Sequence, residues 1–296
     1  MARRSAPASP QRVTLITTGV CEERALALSL QRFFPSAEFT VLRRDGFTSA
    51  ALGPAPAVGG PDRSNLEKLV AEMIALIEPG QRGAPADWVF AVDDLELCNA
   101  TQPTRVVAHL ASAVRAHLAN TPWPTLRSQQ RATERARERC SFHLLAPMLE
   151  AYFFGEPAAL VRAGAVRAPI VQHPAGDLEQ FTATDAAYLG RATDPEVVWA
   201  KPTAAERTRH PKHYTQFLCD PAIAGTPRRS YYRETKAGAF ALASLDWSQV
   251  LTHPSATQFA HAFMADLADA LGVACPFAGV PHPLTAPGKL GVLRNI

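Results

Sequence analysis

Cysteine is sparse in this 296-residue chain, and its five examples (Cys21, Cys98, Cys140, Cys219 and Cys275) are odd in number and widely scattered. No two stand at the short spacing of a zinc-ligand pair, and they do not suggest a disulfide framework. A reducing, cytoplasmic setting is the expectation that follows. Long apolar runs are also lacking. No segment reaches the length of a membrane span, and the basic start Met1-Ala-Arg-Arg-Ser-Ala-Pro7 has no apolar stretch of the kind a secretion signal needs. A soluble chain with no membrane partner is therefore expected. Also absent are a Walker phosphate loop, Gly-x-Gly-x-x-Gly after a strand, a Gly-x-Ser-x-Gly elbow and His-Glu-x-x-His. These absences argue against P-loop nucleotide hydrolysis, dinucleotide redox chemistry and serine hydrolysis. A large excess of one charge is lacking too: a net +3 does not by itself demand a polyanionic partner.

What is present is ordinary globular material, 47% hydrophobic and 19% charged, in a chain long enough for a sizeable core. Arg12–Thr17, Ala37–Leu42 and Trp88–Val92 read as strands. Helical patterns cover Glu22 to Phe34, Ser64 to Ile77 and Thr104 to Leu118. The stretch from Ser49 to Pro61, rich in Ala, Gly and Pro, reads as a mobile loop between them. Arg127–Cys140 reads as a charged helix, Ser141–Leu145 as a further strand and Pro147–Phe154 as a helix start. Beyond Gly155 the patterning weakens, and helical signals return at His210–Cys219, Tyr231–Leu245 and Ser255–Leu271, followed by an irregular tail. This alternation predicts an α/β fold, a mainly parallel sheet flanked by helices, with a mostly helical carboxy-terminal half. The expected division is an α/β core over 12–155 and a helical region over 156–296 packed on it.

The candidate site is Ala91-Val-Asp-Asp-Leu-Glu96, directly after the apolar run Trp88–Val92. If that run is a buried strand, Asp93, Asp94 and Glu96 emerge at its carboxyl end, where open α/β sheets bind ligands. Clustered carboxylates there call for a cation, and a hard divalent ion such as Mg2+ or Mn2+ fits oxygen donors. A solvated strand exit with acidic caps for the next helix is the alternative. The first strand leads through Thr17-Thr-Gly-Val-Cys-Glu22-Glu23 into a helix. Glu22 there complements the helix dipole, but parallel crossovers also bring it to the same sheet edge as the later cluster.

A glutamate after the first strand followed by an Asp-x-Asp-like cluster after a later one resembles the Toprim fold of topoisomerases, primases and overcoming-lysogenisation-defect-type nucleases. The chain is similar more closely to bacterial Toprim-like proteins of mobile or defence-associated loci. The matching segments are Thr18-Gly-Val-Cys-Glu22, Met148-Leu-Glu-Ala-Tyr152, His210-Pro-Lys-His213 and Tyr232-Arg-Glu-Thr-Lys-Ala-Gly238. Two departures stand out: Thr18 and Cys21 replace Glu and Thr/Ser of the related turn, and Asp93-Asp94 with Asp94-x-Glu96 stands where Asp-x-Asp is expected. The resemblance implies a nuclease with Mg2+ or Mn2+ held by Glu22, Asp93, Asp94 and Glu96. Glu22 is either a general acid/base or a further ligand, and His210 and Lys236 assist. It equally admits a catalytically silent subunit that binds nucleic acid or a partner protein of a defence complex. A phosphohydrolase acting on small nucleotides is a third option.

The remaining candidates carry two readings each. Glu150, among Leu149 and Tyr152-Phe-Phe154, either faces water from an amphipathic helix or is buried beside the site and paired with Lys212, Lys236 or an arginine. His210-Pro211 either opens a helix or, with Lys212, His213 and Lys236, forms a phosphate-binding group. Arg127, Arg131, Arg135 and Arg139 share one helical face through their four-residue spacing. They suit DNA or RNA phosphates, yet Glu134 and Glu138 beside them fit a solvated, self-paired surface equally well. Arg228 and Arg229, followed by Tyr231 and Tyr232, form a second basic candidate for nucleic-acid contact.

Overall fold

The computed structural model describes residues 10–44, 46–52, 64–78, 85–173, 176–190, 204–220, 232–252, 257–288 and 291–296. Among them four strands, β1 (Gln11–Thr17), β2 (Ala37–Arg43), β3 (Trp88–Asp94) and β4 (Cys140–Leu145), form one sheet in the order β2-β1-β3-β4. Every neighbouring pair is parallel. The helices are α1 (Val20–Gln31), α2 (Ser64–Ile77), α3 (Pro103–Asn120), α4 (Leu126–Arg139), α5 (Pro157–Arg162), α6 (Ala186–Leu189), α7 (Ala204–Thr208), α8 (Pro211–Cys219), α9 (Ala239–Ala243), α10 (Trp247–Val250) and α11 (Gln258–Leu271). The chain is thus an α/β protein whose carboxy-terminal half is mainly helical.

Strand alternation decides what lies on each face of the sheet. Val13 and Leu15 of β1 and Phe90 and Val92 of β3 join the apolar cluster of α1. Ile16, Val89, Ala91, Phe142 and Leu144 join the cluster of α2, α3 and α4. From β1 the chain moves one way, through α1, to β2. It then crosses back, through α2, to β3 on the other side of β1. Right-handed crossovers in opposite directions put α1 and α2 on opposite faces. They also create a switch point between β1 and β3, at whose carboxyl ends a crevice opens.

The carboxy-terminal half covers the α1 face and shares its core: Tyr214, Leu242, Trp247, Phe263 and Met264 belong to the same cluster as Leu26 and Leu30. Trp247 Nε1 donates to Ser29 Oγ of α1 at 2.7 Å. The exposed edge of β4 is closed by the tail. Arg294 N donates to Cys140 O at 3.0 Å, while the Asn295 amide accepts from Phe142 N at 3.2 Å and donates to Phe142 O at 2.7 Å. Such cover keeps an edge strand from pairing with another chain. Beneath it Asp266, fully buried, accepts from Arg294 Nε at 2.7 Å and pairs with His143 at 2.9 Å.

Three local expectations change. Ser49–Leu52, expected as part of a mobile loop, is a 3-10 turn with Ser49 buried, because its N–H and hydroxyl satisfy the buried Asp93 carboxylate; positions 53–61 of that loop lie outside the described residues. The helix expected over Pro147–Phe154 is a 3-10 segment, Leu149–Gly155. Pro147 O accepts from Glu96 N at 2.8 Å and Leu149 N donates to Asp94 Oδ1 at 2.8 Å, so these backbone groups serve the β3 exit rather than a helix of their own. The expected Tyr231–Leu245 helix is, where described, a π-helical turn over Glu234–Gly238 continuing into α9.

Candidate metal centre

At the β1–β3 switch point, carboxylates from four separate segments come within electrostatic reach of one another: Glu22 on α1, Asp94 and Glu96 at the end of β3 and just beyond it, Glu150 on the 3-10 segment and Glu234 on the π-helical turn. β3 alternation places Asp93 and Asp94 on opposite faces. Asp94 turns to the α1 face and accepts from Leu149 N. Asp93 turns to the α2 face, where Thr18 Oγ1 donates to Oδ1, and Ser49 N (2.8 Å) and Ser49 Oγ both donate to Oδ2. Asn99 Nδ2 then holds Ser49 O at 2.6 Å. With both oxygens engaged, Asp93 ties the β1 turn to the 49–52 turn.

Glu22 differs. Its residue is 6% exposed, yet Oε2 meets no hydrogen-bond partner among the described residues. The side chain folds back over Gly19, where a Cβ would lie 2.1 Å from Oε2, so glycine is what lets the carboxylate rest against this turn. Buried polar atoms are nearly always partnered, and an orphan calls for an explanation such as an ion. Burial pushes Glu22 up to about 8, its own backbone hydrogen bond opposing and the charges of Glu150, Glu234 and Asp93 adding. Burial also raises Asp94 well above the carboxylate range, reinforced by Glu22, Glu96 and Glu150. It raises Glu96 to about 7, with Asp93 adding and Lys212 pulling back. Asp93 rises only to about 6, because the Ser49 and Thr18 donors offset its burial.

Glu96 sits at φ 66°, ψ 150°, a region suited to glycine. Such strain collects at functional sites and is held by the surroundings, here by the Glu96 N to Pro147 O hydrogen bond. Glu150 is buried, not water-facing. Tyr232 OH donates to its Oε1 at 3.1 Å, and burial raises its carboxyl while the charge of Lys212 pulls it back. Lys212 Nζ pairs with Glu234 Oε2 at 2.5 Å. Burial opposes its charge, but Glu150 and Glu234 outweigh that and hold the ammonium above its usual range.

The donors fit Mg2+ or Mn2+ in kind: they are hard oxygens, several carry unfavourable like-charge company, and one buried oxygen is orphaned. They are neighbours, not a closed cage, since among the described residues no three Asp, Glu, His or Cys side chains are grouped tightly enough to hold an ion as they stand.

The other candidates fall in different places. His210 caps α8, its Nδ1 accepting from His213 N at 3.3 Å with the two rings stacked; burial and the His213 and Lys212 charges push it down to about 3, leaving it neutral near pH 7. Its helix-opening role is therefore realised. Lys236 is exposed on the turn that carries Glu234. The arginine stripe lies elsewhere. α4 leads into Cys140 at the amino edge of β4, and Gln129 Nε2 on the same helix holds Leu118 O at 2.8 Å. Arg127 and Arg131 are exposed and Arg135 pairs with Glu78 at 2.9 Å, so these residues sit away from the carboxylates. Arg228 and Arg229 lie outside the described residues.

Among the described residues no helix is long and apolar enough to cross a membrane. No protein-family model, curated protein or solved structure matches the chain. Tyr232, expected with Tyr231 as an aromatic of the basic patch, is instead buried with its hydroxyl on Glu150. Glu234 is a residue that sequence reasoning did not single out; its only signal was membership of the Tyr232–Gly238 segment, since nothing local marks a carboxylate that folding brings near Glu150.

Proposed function

We propose that the crevice binds a divalent ion, Mg2+ or Mn2+, and hydrolyses phosphodiester bonds of DNA or RNA in the manner of a Toprim-type nuclease. The observation that carries this reading is the buried Glu22 Oε2, which has no hydrogen-bond partner among the described residues, on a side chain within electrostatic reach of Asp94 and Glu150. Glu22, Asp94 and Glu96 would hold the ion, which supplies charge stabilisation at the phosphate oxygens. Asp93, through Thr18, fixes the β1 turn that leads to Glu22, and through Ser49 it holds the 49–52 turn, which carries no ligand. With its carboxyl raised to about 8, Glu22 retains a proton near neutral pH when no cation is near, so it suits acid/base exchange with a leaving or attacking oxygen. Lys236 and Arg24, exposed on neighbouring segments joined by Arg24 Nη1 to Thr235 O at 2.6 Å, flank the crevice as contacts for a phosphate backbone. A bacterial cytoplasmic antiphage or mobile-element setting belongs to the same proposal and is supported by the resemblance alone.

The open arrangement of the carboxylates favours a second reading, a silent subunit that binds nucleic acid or a partner protein in a defence complex. Incubating the purified protein with labelled single- and double-stranded DNA and RNA in Mg2+ or Mn2+, beside Asp94→Asn and Glu22→Gln, separates the two. Metal-dependent cleavage lost in both folded variants supports the nuclease. Absence of cleavage on every polymer, or cleavage indifferent to both substitutions, rejects it.

A further inference from the structure

α1 runs beside the π-helical turn and α9 in the same direction, tied to them at both ends. Near the start Arg24 Nη1 donates to Thr235 O at 2.6 Å, and near the end Arg32 Nη1 donates to Leu245 O at 3.2 Å. Leu28 lies midway between Arg24 and Arg32, and Phe240 midway between Thr235 and Leu245, so the two stand abreast across the seam. Both are exposed, at 61% and 60%, and Phe240 is the only exposed Phe, Tyr or Trp among the described residues. Single exposed apolar residues are ordinary, but these two sit in a frame of cations. Arg24, Leu28 and Arg32 recur at four-residue spacing along the exposed side of α1, and exposed Lys236 precedes Phe240 by the same interval. Glu23, beside Arg24, is turned to Arg43 at 3.1 Å, and Asp246, beyond Leu245, caps α10. Arg24 and Lys236 each stand two residues after a carboxylate of the switch-point cluster, Glu22 and Glu234. The seam therefore starts at that cluster and carries its cations over about 12 Å of α1.

We propose that this α1–α9 seam binds single-stranded nucleic acid, with Arg24, Lys236 and Arg32 on its phosphates and a base stacked on the Phe240 ring. Cations alone would take either form of the polymer, since phosphates carry no distinction of that kind. An exposed aromatic ring among them favours the single strand, whose bases have free faces to stack, over a duplex, whose bases are already stacked on one another. The inference rests on the nucleic-acid reading above, names the form of polymer that reading leaves open, and requires no metal ion.

The test is fluorescence anisotropy of the full chain in EDTA with three labelled probes of equal length: a deoxythymidine oligonucleotide, a duplex, and an abasic oligonucleotide that keeps only sugars and phosphates. The wild type is compared with Phe240→Ala, Phe240→Trp and Lys236→Gln, each checked for folding by circular dichroism. The wild type is expected to bind the deoxythymidine strand more tightly than the duplex or the abasic chain. F240A should weaken that binding about tenfold and leave the duplex unchanged, and F240W should restore it. K236Q should weaken all three probes and lower their salt dependence. Equal affinity for the deoxythymidine and abasic strands, single-strand binding unchanged in F240A, or salt dependence unchanged in K236Q overturns the proposal. Binding of anionic phosphatidylglycerol vesicles with none of any oligonucleotide overturns it too and assigns the seam to a lipid surface. Should F240A fail to fold, the abasic comparison in the wild type decides. Catalysis fails separately: a stacking-dependent single-strand preference supports the seam even where no polymer is cut, and metal-dependent cleavage without that preference keeps the nuclease and removes the seam.

Discussion

Replacing Glu22 by Gln should make the metal-free protein more stable at neutral pH, although it removes a residue proposed to hold the ion. The sign follows from proton linkage. Glu22 is raised from 4.5 to about 8 on folding, so the folded state binds the extra proton and stability falls as pH rises through that window. Below pH 4.5 both states are protonated and Glu22 contributes nothing. At pH 7 the uphill stretch corresponds to about 3 kcal/mol, at about 1.4 kcal/mol per pH unit. A buried amide retains about 1 kcal/mol of desolvation cost, leaving a gain of about 2 kcal/mol. Because Glu22, Asp94 and Glu96 titrate as a set, the substitution should remove about one proton from the linkage of the whole cluster, not flatten it. Urea unfolding in EDTA at half-unit steps from pH 5 to 8.5 measures both quantities. Equal or lower stability of Glu22→Gln at pH 7 to 8, with an unchanged pH slope, would refute a buried, uncompensated carboxylate at this position.

Three further outcomes are expected. Glu96→Gly should relieve the left-handed backbone and stabilise the metal-free fold by about 1 kcal/mol while weakening Mn2+ uptake, as read by denaturation and ion titration. Ser49→Ala should cost about 1–3 kcal/mol by stripping a donor from buried Asp93, yet leave Mn2+ affinity unchanged if Asp93 positions loops and does not bind the ion. Asp266→Ala should cost about 3–5 kcal/mol by stranding Arg294 and His143. In the wild type the contribution of Asp266, whose carboxyl is held below its usual value against burial by His143 and Arg294, is complete above pH 3.8 and is lost as pH falls through that lowered value, so an acid titration of Asp266→Asn should lack this component.

The sheet was legible because its strands are short apolar runs between turn signals, and period alone assigns them. The edge at which Asp94, Glu96 and Glu22 meet followed from parallel crossovers. What the sequence hid is long-range or conformational. Whether Asp93 or Asp94 faces α1 depends on strand register, which fixes alternation only once β3 is placed. Ser49 reads as loop because its buried partner lies forty-four positions away. Glu234, eighty-four positions away in sequence, folds close enough for its charge to be felt at Glu150. The arginine stripe shows the converse: helical spacing predicted a shared face correctly, but spacing carries no information about which edge of the sheet that face borders.

Anomalous diffraction from crystals soaked in Mn2+ decides whether Glu22, Asp94 and Glu96 hold a divalent ion. An anomalous peak is expected between these three carboxylates, with Glu22 Oε2 among the ligating atoms, and none there in Asp94→Asn crystals. An empty crevice at saturating Mn2+, or a peak elsewhere with Glu22 Oε2 still unligated, would contradict it.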